Sequence, residues 1–155
     1  MRGKSAPKRV INPDAKYSSL VIAKFINYVM RQGKRSTAER IVYGAFDAIT
    51  AKTQSDALEV FDKALKNVQP TVEVRSKRVG GANYQVPVPV RGDRKIALGF
   101  RWVIAAADHR KGKPMAEKLA DEIIAASNNE GDAMKKKNDV NRMAEANRAF
   151  AHFAR

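Results

Sequence analysis

Beyond Pro70 the hydrophobic period of the chain changes from helical to alternating, and past Val90 it returns to helical. Val72 and Val74 begin an alternating run that continues through Arg75, Ser76, Lys77, Arg78 and Val79. Tyr84 to Val90 answers it as Y-Q-V-P-V-P-V, across a Gly80-Gly81-Ala82-Asn83 turn. Glycines suit the positive φ angles that hairpin turns demand. Pro87 and Pro89 lack amide hydrogens and are barred from a central strand. Both point to the same edge of their own strand, so with that edge outward no further strand can pair there. The spacing therefore predicts an isolated two-stranded ribbon projecting from a helical body.

The helical segments follow from periodicity and punctuation. Val21, Ile22, Phe25, Ile26 and Val29 define a first helix from Ser18 or Ser19 to Arg31, with Gly33 as its stop. Ser36, with Glu39 three residues on, predicts a capping box opening a second helix, whose stripe is Ile41, Val42, Ala45, Ala48 and Ile49. Ser55 is expected to cap a third helix carrying Leu58, Phe61, Leu65 and Val68, which Pro70 ends. A fourth runs from near Asp93 to Arg110, with Ile96, Phe100, Val103, Ile104 and Ala107 on its core face. Met115, Leu119, Ile123 and Ala126 mark a fifth, and Asp132 is the expected cap of a sixth running through Met143 toward Phe150. The fold class is mainly α: a six-helix single domain with the hairpin, at about 71–90, between helices three and four. Residues 1–17 read as a basic tail and 18–155 as one helical domain carrying the hairpin.

At 155 residues, one core fits and two would be cramped. A hydrophobic fraction of 44% fills a helical core, while 7% aromatics point away from a sandwich. Thirty Lys and Arg against sixteen Asp and Glu give +14, a self-repulsion that a polyanion partner relieves. The charge is segregated. Residues 1–35 carry +8, 72–101 carry +5 and 135–155 carry +4, whereas 36–71 and 102–134 are slightly negative. No cysteine is present, which excludes disulfides and cysteine-based zinc sites. No apolar run approaches the roughly 20 residues a bilayer span needs. MRGKSAPKRVINPD lacks the apolar stretch of a signal peptide. The expectation is a cytosolic, unprocessed protein without a membrane partner, metal or cofactor.

Several clusters could meet an anionic polymer. Arg75, Lys77 and Arg78 face Tyr84 and Gln85 across the ribbon, and a Gly-Gly-Ala-Asn tip lets backbone approach a ligand closely. Lys34 and Arg35 follow Gly33 between two helices, where bases also offset a helix dipole. The fourth helix carries Arg94, Lys95, Arg101 and Trp102 on its outer side. Trp102 admits two readings: stacking on unpaired bases, or burial in a helix covered on both faces. Lys135, Lys136 and Lys137 sit near a helix start, where positive charge is unfavourable unless a polyanion is near. Arg2, Lys4, Lys8 and Arg9 form a tail expected to be disordered alone and to fold along RNA. No catalytic residues emerge. Adjacent Asp108 and His109 diverge by about 100° on a helix, and no serine lies in a nucleophile elbow.

Three long motifs carry a resemblance. P-D-A-K-Y-S-S-L-V-I-A-K-F-I-N-Y-V-M-R-Q-G-K-R-S-T-A from Pro13 to Ala38 is the first. V-R-S-K-R-V-G-G-A-N-Y-Q-V-P-V from Val74 to Val88, followed by R-K-I-A-L-G-F-R-W at Arg94 to Trp102, is the second. D-V-N-R-M-A-E-A-N-R-A-F-A-H from Asp139 to His152 is the third. In order and spacing they resemble the family of bacterial-type small-subunit ribosomal protein seven. The resemblance implies binding to the 3′ major domain of small-subunit rRNA and nucleation of head assembly. It implies rRNA contact by the tail, Lys34, Arg35, Arg75, Lys77, Arg78, Arg94, Lys95 and Arg101, with Trp102 a candidate beside them. Gly80, Gly81, Ala82, Asn83 and Tyr84 would approach exit-site tRNA. Lys135, Lys136, Lys137 and Arg142 would lie near mRNA or neighbouring head and platform proteins. Pro89 departs from the acid usual in bacterial relatives, which removes a negative charge and stiffens the arm. An architectural DNA-binding protein, which also uses a basic ribbon with proline, is the alternative. An RNA-modifying enzyme would need a site that these residues do not offer.

Overall fold

A computed structural model describes residues 3, 6–7 and 9–154. Along the chain come α1 (Leu20–Val29), α2 (Arg35–Thr53), α3 (Ala57–Val68), β1 (Val72–Val79), β2 (Ala82–Pro89), α4 (Gly92–His109), α5 (Met115–Ser127) and α6 (Asp132–Ala146). A 3₁₀ helix, Arg148–Ala154, follows α6 where a longer sixth helix was expected. The mainly helical, single-domain architecture with a hairpin between α3 and α4 is as the periodicity predicts.

Four phenylalanines from four helices join the core. Phe25 of α1 lies 5.0 Å from Phe61 of α3 and 5.1 Å from Phe100 of α4, and Phe46 of α2 lies 5.3 Å from Phe61. All four are buried, and burying each such ring contributes about 1.5–3 kcal/mol. α5 packs against α2, α3 and α4 through Leu119, Ala120, Ile123 and Ala126, none of which has any exposure. In α2 the buried stripe is Ala38, Val42, Ala45, Phe46 and Ile49. Ile41 and Ala48, expected in that stripe, are half-buried at its flank.

The start of α1 is as expected, but those of α2, α3 and α6 differ, because capping depends on geometry as well as residue type. Ser19 caps α1, accepting from Ile22 N at 3.5 Å. α2 begins at Arg35 with no side-chain cap, so Ser36 forms no capping box. Glu39 instead accepts from Arg35 Nε at 2.8 Å, a pair one helical turn apart. Asp56, not Ser55, caps α3 by accepting from Leu58 N at 3.0 Å. Ser55 Oγ donates to Thr53 O. Asp132 is the first residue of α6 rather than its cap.

The cap of α6 comes from another helix. Glu122 of α5 is fully buried, and its Oε1 accepts from Ala133 N at 2.9 Å. Its Oε2 accepts from Arg110 Nε at 3.0 Å and Nη2 at 2.6 Å. A buried carboxylate needs such partners, since a lone charge out of water costs several kcal/mol. Gly131 precedes α6 with φ +92°, and a Cβ there would stand 2.7 Å from Glu122 Oε1. Only glycine fits.

In the ribbon, Val72 pairs with Pro89 and Val79 with Ala82, so the turn is Gly80-Gly81 alone, with φ +57° and +86°. Ala82 and Asn83, expected in the turn, belong to β2. Val90 N donates to Thr71 O at 3.0 Å, which fixes the hydrogen-bonding parity of β2. Pro87 and Pro89 then sit at positions whose backbone faces outward. The expected blocked edge is present. The ribbon is not bare, however: α6 packs on it, and so does the C-terminal 3₁₀ helix.

Candidate nucleic-acid interface

Cross-strand partners share a face, and this divides the ribbon's cations. Arg75 opposite Val86 and Lys77 opposite Tyr84 lie on one face, while Arg78 opposite Asn83 lies on the other. The first face is organised by Glu73, buried at 7% exposure. Its Oε1 accepts from Arg75 Nε at 2.6 Å and its Oε2 from Arg94 Nε at 3.1 Å. One carboxylate thus clamps the base of the ribbon to the first turn of α4. Burial pushes the Glu73 carboxyl up, but the hydrogen bonds from Arg75 and Arg94 outweigh it and hold the group below the ordinary value. Both arginines keep exposed side chains, at 60% and 44%, so their remaining N–H groups are open to an anion.

Farther along α4, Arg101 is exposed and lies 5.8 Å from the ring of Tyr28 on α1. Tyr28 is itself 38% exposed. A cleft of about 220 Å³ beside it is lined by Ile11, Lys24, Tyr28, Asp93, Ile96 and Phe100. Trp102, by contrast, is half-buried against the hydrophobic core. The exposed aromatic of this surface is therefore Tyr28, which the sequence reading passed over. Its signal was an aromatic at the edge of the α1 stripe inside a +8 block. Lys95 is half-buried.

Lys34 and Arg35 stand exposed where α1 turns into α2. Arg35 is paired with Glu39, and Lys34 borders a groove of about 440 Å³ with Val29, Arg31, Ile41, Ile104 and Met115. Arg31 pairs with Asp108, and His109 Nδ1 lies 2.7 Å from Ala105 O on an exposed helix end. These two α4 residues thus turn to different partners. Among the described residues, no group of three or more His, Cys, Asp or Glu is placed to hold a metal ion.

The triple lysine of α6 also divides. Lys135 pairs with Asp132 at 2.9 Å, and Lys136 is exposed. Lys137 turns inward, donates to Asn67 O, and has its pKa lowered by desolvation. Arg142 is exposed. At the ribbon tip, Gly80, Gly81, Ala82 and Asn83 are exposed. Tyr84 is half-buried between Phe150 and Phe153, 5.2 Å from each. Lys77 Nζ donates to Phe153 O at 2.7 Å.

Asp14 fixes where the N-terminal segment leaves the body. Buried at 3% exposure, it accepts from Lys16 N at 3.1 Å, Tyr17 N at 3.0 Å and Tyr43 Oη at 2.6 Å. That last bond, more than burial, pushes the Tyr43 pKa up to about 12. Arg9, upstream of it, is exposed. Arg2, Lys4 and Lys8 lie outside the described residues. Neither Asp14 nor Glu73 was singled out by sequence, because an isolated acid in a basic block carries no periodic signal.

No helix is long and apolar enough to cross a membrane among the described residues. The family model of ribosomal protein S7p/S5e matches residues 1–148. The chain is 59% identical over 152 residues to a small ribosomal subunit protein uS7 of Afipia carboxidovorans, covering 98% of this chain and 97% of the relative. It is 58% identical over 153 residues to that of Thermotoga petrophila, covering 99% of both. To that of Acidithiobacillus ferrooxidans it is 55% identical over 152 residues, or 98% of this chain and 97% of the relative.

Proposed function

The chain belongs to the ribosomal protein S7p/S5e family, and from that premise we propose that it binds and shapes the 3′ major domain of small-subunit rRNA. Membership makes it a structural, non-enzymatic component of the small ribosomal subunit, at work in the cytoplasm within the ribosome. The finer reading is that it nucleates assembly of the subunit head. Arg75, Arg94, Arg101, Lys34, Arg35 and Lys95 contact rRNA phosphates, and Arg78 contacts them from the opposite face of the ribbon. The tail residues Arg2, Lys4, Lys8 and Arg9 extend that contact. Gly80 to Tyr84 approach exit-site tRNA. Lys135, Lys136 and Arg142 lie toward mRNA or neighbouring proteins.

The observation that carries this reading is the clamp at Glu73. It fixes two guanidinium groups from a strand and a helix at one angle. Fixed cations select a particular phosphate path, whereas mobile ones bind any polyanion. Phosphate contacts supply most of the affinity, and RNA shape supplies specificity.

The test compares a 3′ major domain rRNA fragment with duplex DNA of equal charge across a salt series. Neutralising about six to ten phosphates implies a loss of roughly 10³–10⁵-fold between about 50 and 200 mM salt. The RNA fragment should win by orders of magnitude at every salt concentration. Equal binding would favour the architectural DNA-binding alternative.

A further inference from the structure

We propose that the cleft between the ribbon and the C-terminal 3₁₀ helix binds one unpaired nucleotide of single-stranded RNA, with its base against Phe153 and its phosphate on Arg75. The proposal rests on the RNA-binding reading above and deepens it, giving Arg75, one of its phosphate contacts, a defined cleft and a base partner. The cleft holds about 220 Å³ and is lined by Arg75, Ser76, Lys77, Val86, Val88 and Phe153. A drug-sized site is roughly 300–1,000 Å³, so this one has room for a single planar ring system. One wall is an aromatic ring, the valines give apolar contact, and the Arg75 side chain is 60% exposed beside them.

The surroundings hold the ring in place. Tyr84 contacts both Phe150 and Phe153, and the latter two are nearly parallel, at 15°. His152 adds a ring 4.0 Å from Phe153. Lys77 is a positioning residue here, since its ammonium grips the Phe153 carbonyl. Yet the 3₁₀ helix that supplies Phe150, His152 and Phe153 has no buried residue. Core packing does not account for so much aromatic surface on a segment that covers so little. Bases stack on such rings whatever their identity, and only unpaired bases are free to do so. An acidic peptide would satisfy Arg75 but would leave the ring wall without a planar partner.

The test uses the full chain and a uridine hexamer carrying one 2-aminopurine, whose fluorescence falls on stacking. Wild type should quench the probe. Phe153→Ala should remove the quench and weaken binding about five- to hundredfold. Phe153→Tyr should retain both. Phe153→Leu, which keeps apolar bulk without a π face, should lose the quench even where packing is preserved. Quenching by Phe153→Leu equal to wild type overturns the site. Equal displacement of the hexamer by an RNA duplex or by a glutamate-rich peptide overturns it too. If wild type binds the 3′ major domain fragment but never quenches the hexamer, only this cleft fails. If it does not bind the fragment, the larger reading fails independently.

Discussion

Glu73 sits among residues chosen for positive charge, and its value lies in being the exception. Arg75 and Arg94 would repel each other across the ribbon base without a carboxylate between them, and the same carboxylate sets their angle. Its folded pKa is lower than the ordinary 4.5, so the unfolded chain takes up the proton first as pH falls. The stability it contributes is full above about pH 4.5 and is lost as pH drops through the lowered folded value. Urea midpoints measured between about pH 3 and 7 should therefore show a shallower acid limb for Glu73→Gln, with a lower midpoint at neutral pH. An unchanged acid limb would mean that Glu73 does not couple the two arginines. Position in the sequence gave no hint of this role. V-E-V reads as an ordinary alternation in which the polar residue should face water, whereas Glu73 is buried and its second oxygen is held by Arg94, twenty-one residues farther along the chain.

At the scale of elements, apolar spacing located the six α-helices and both strands, because burial of a stripe follows its period, but it read the C-terminal 3₁₀ helix as a continuation of α6. The termini were less legible, since caps depend on which of two adjacent polar residues points at the free amides. Ser55 and Asp56 are both good capping types, and the chain direction into α3 favours the aspartate. Asp56→Ala should cost about 1 kcal/mol of stability by urea denaturation, whereas Ser55→Ala should stay within about 0.5 kcal/mol. The reverse order would restore the serine as the cap. The ribbon was legible down to its blocked edge, because proline states its own hydrogen-bonding limits. Its packing against the C-terminal 3₁₀ helix was not. That contact joins Tyr84 to Phe150 and Phe153 across more than sixty residues, and no local pattern reports it.

For the whole molecule, charge segregation in the sequence marked the basic regions, but folding decided which cations remain available. Lys137 is consumed by Asn67, while Lys34 stands exposed. Paired removal of Lys34 and Arg35 to alanine should lower rRNA-fragment affinity nearly uniformly and reduce the magnitude of the log–log salt slope by about 2, one per phosphate contact. Lys137→Ala should leave that slope unchanged and instead lower the urea midpoint. A slope untouched by the first variant would remove the α1–α2 turn from the interface.

The cap that α5 lends to α6 also has a meaning in time. Gly131 gives α6 no side chain of its own to hold its first turn, and the missing acceptor is Glu122, eleven residues before the Ala133 amide that it caps. Glu122 can be kept dry only once Arg110, earlier still, has come to it. During synthesis at about 5–20 residues per second, each group emerges before the one that depends on it. The cap of α6 is thus in place only where α5 already is, and the ribbon's aromatic cover hangs from the far end of that same helix.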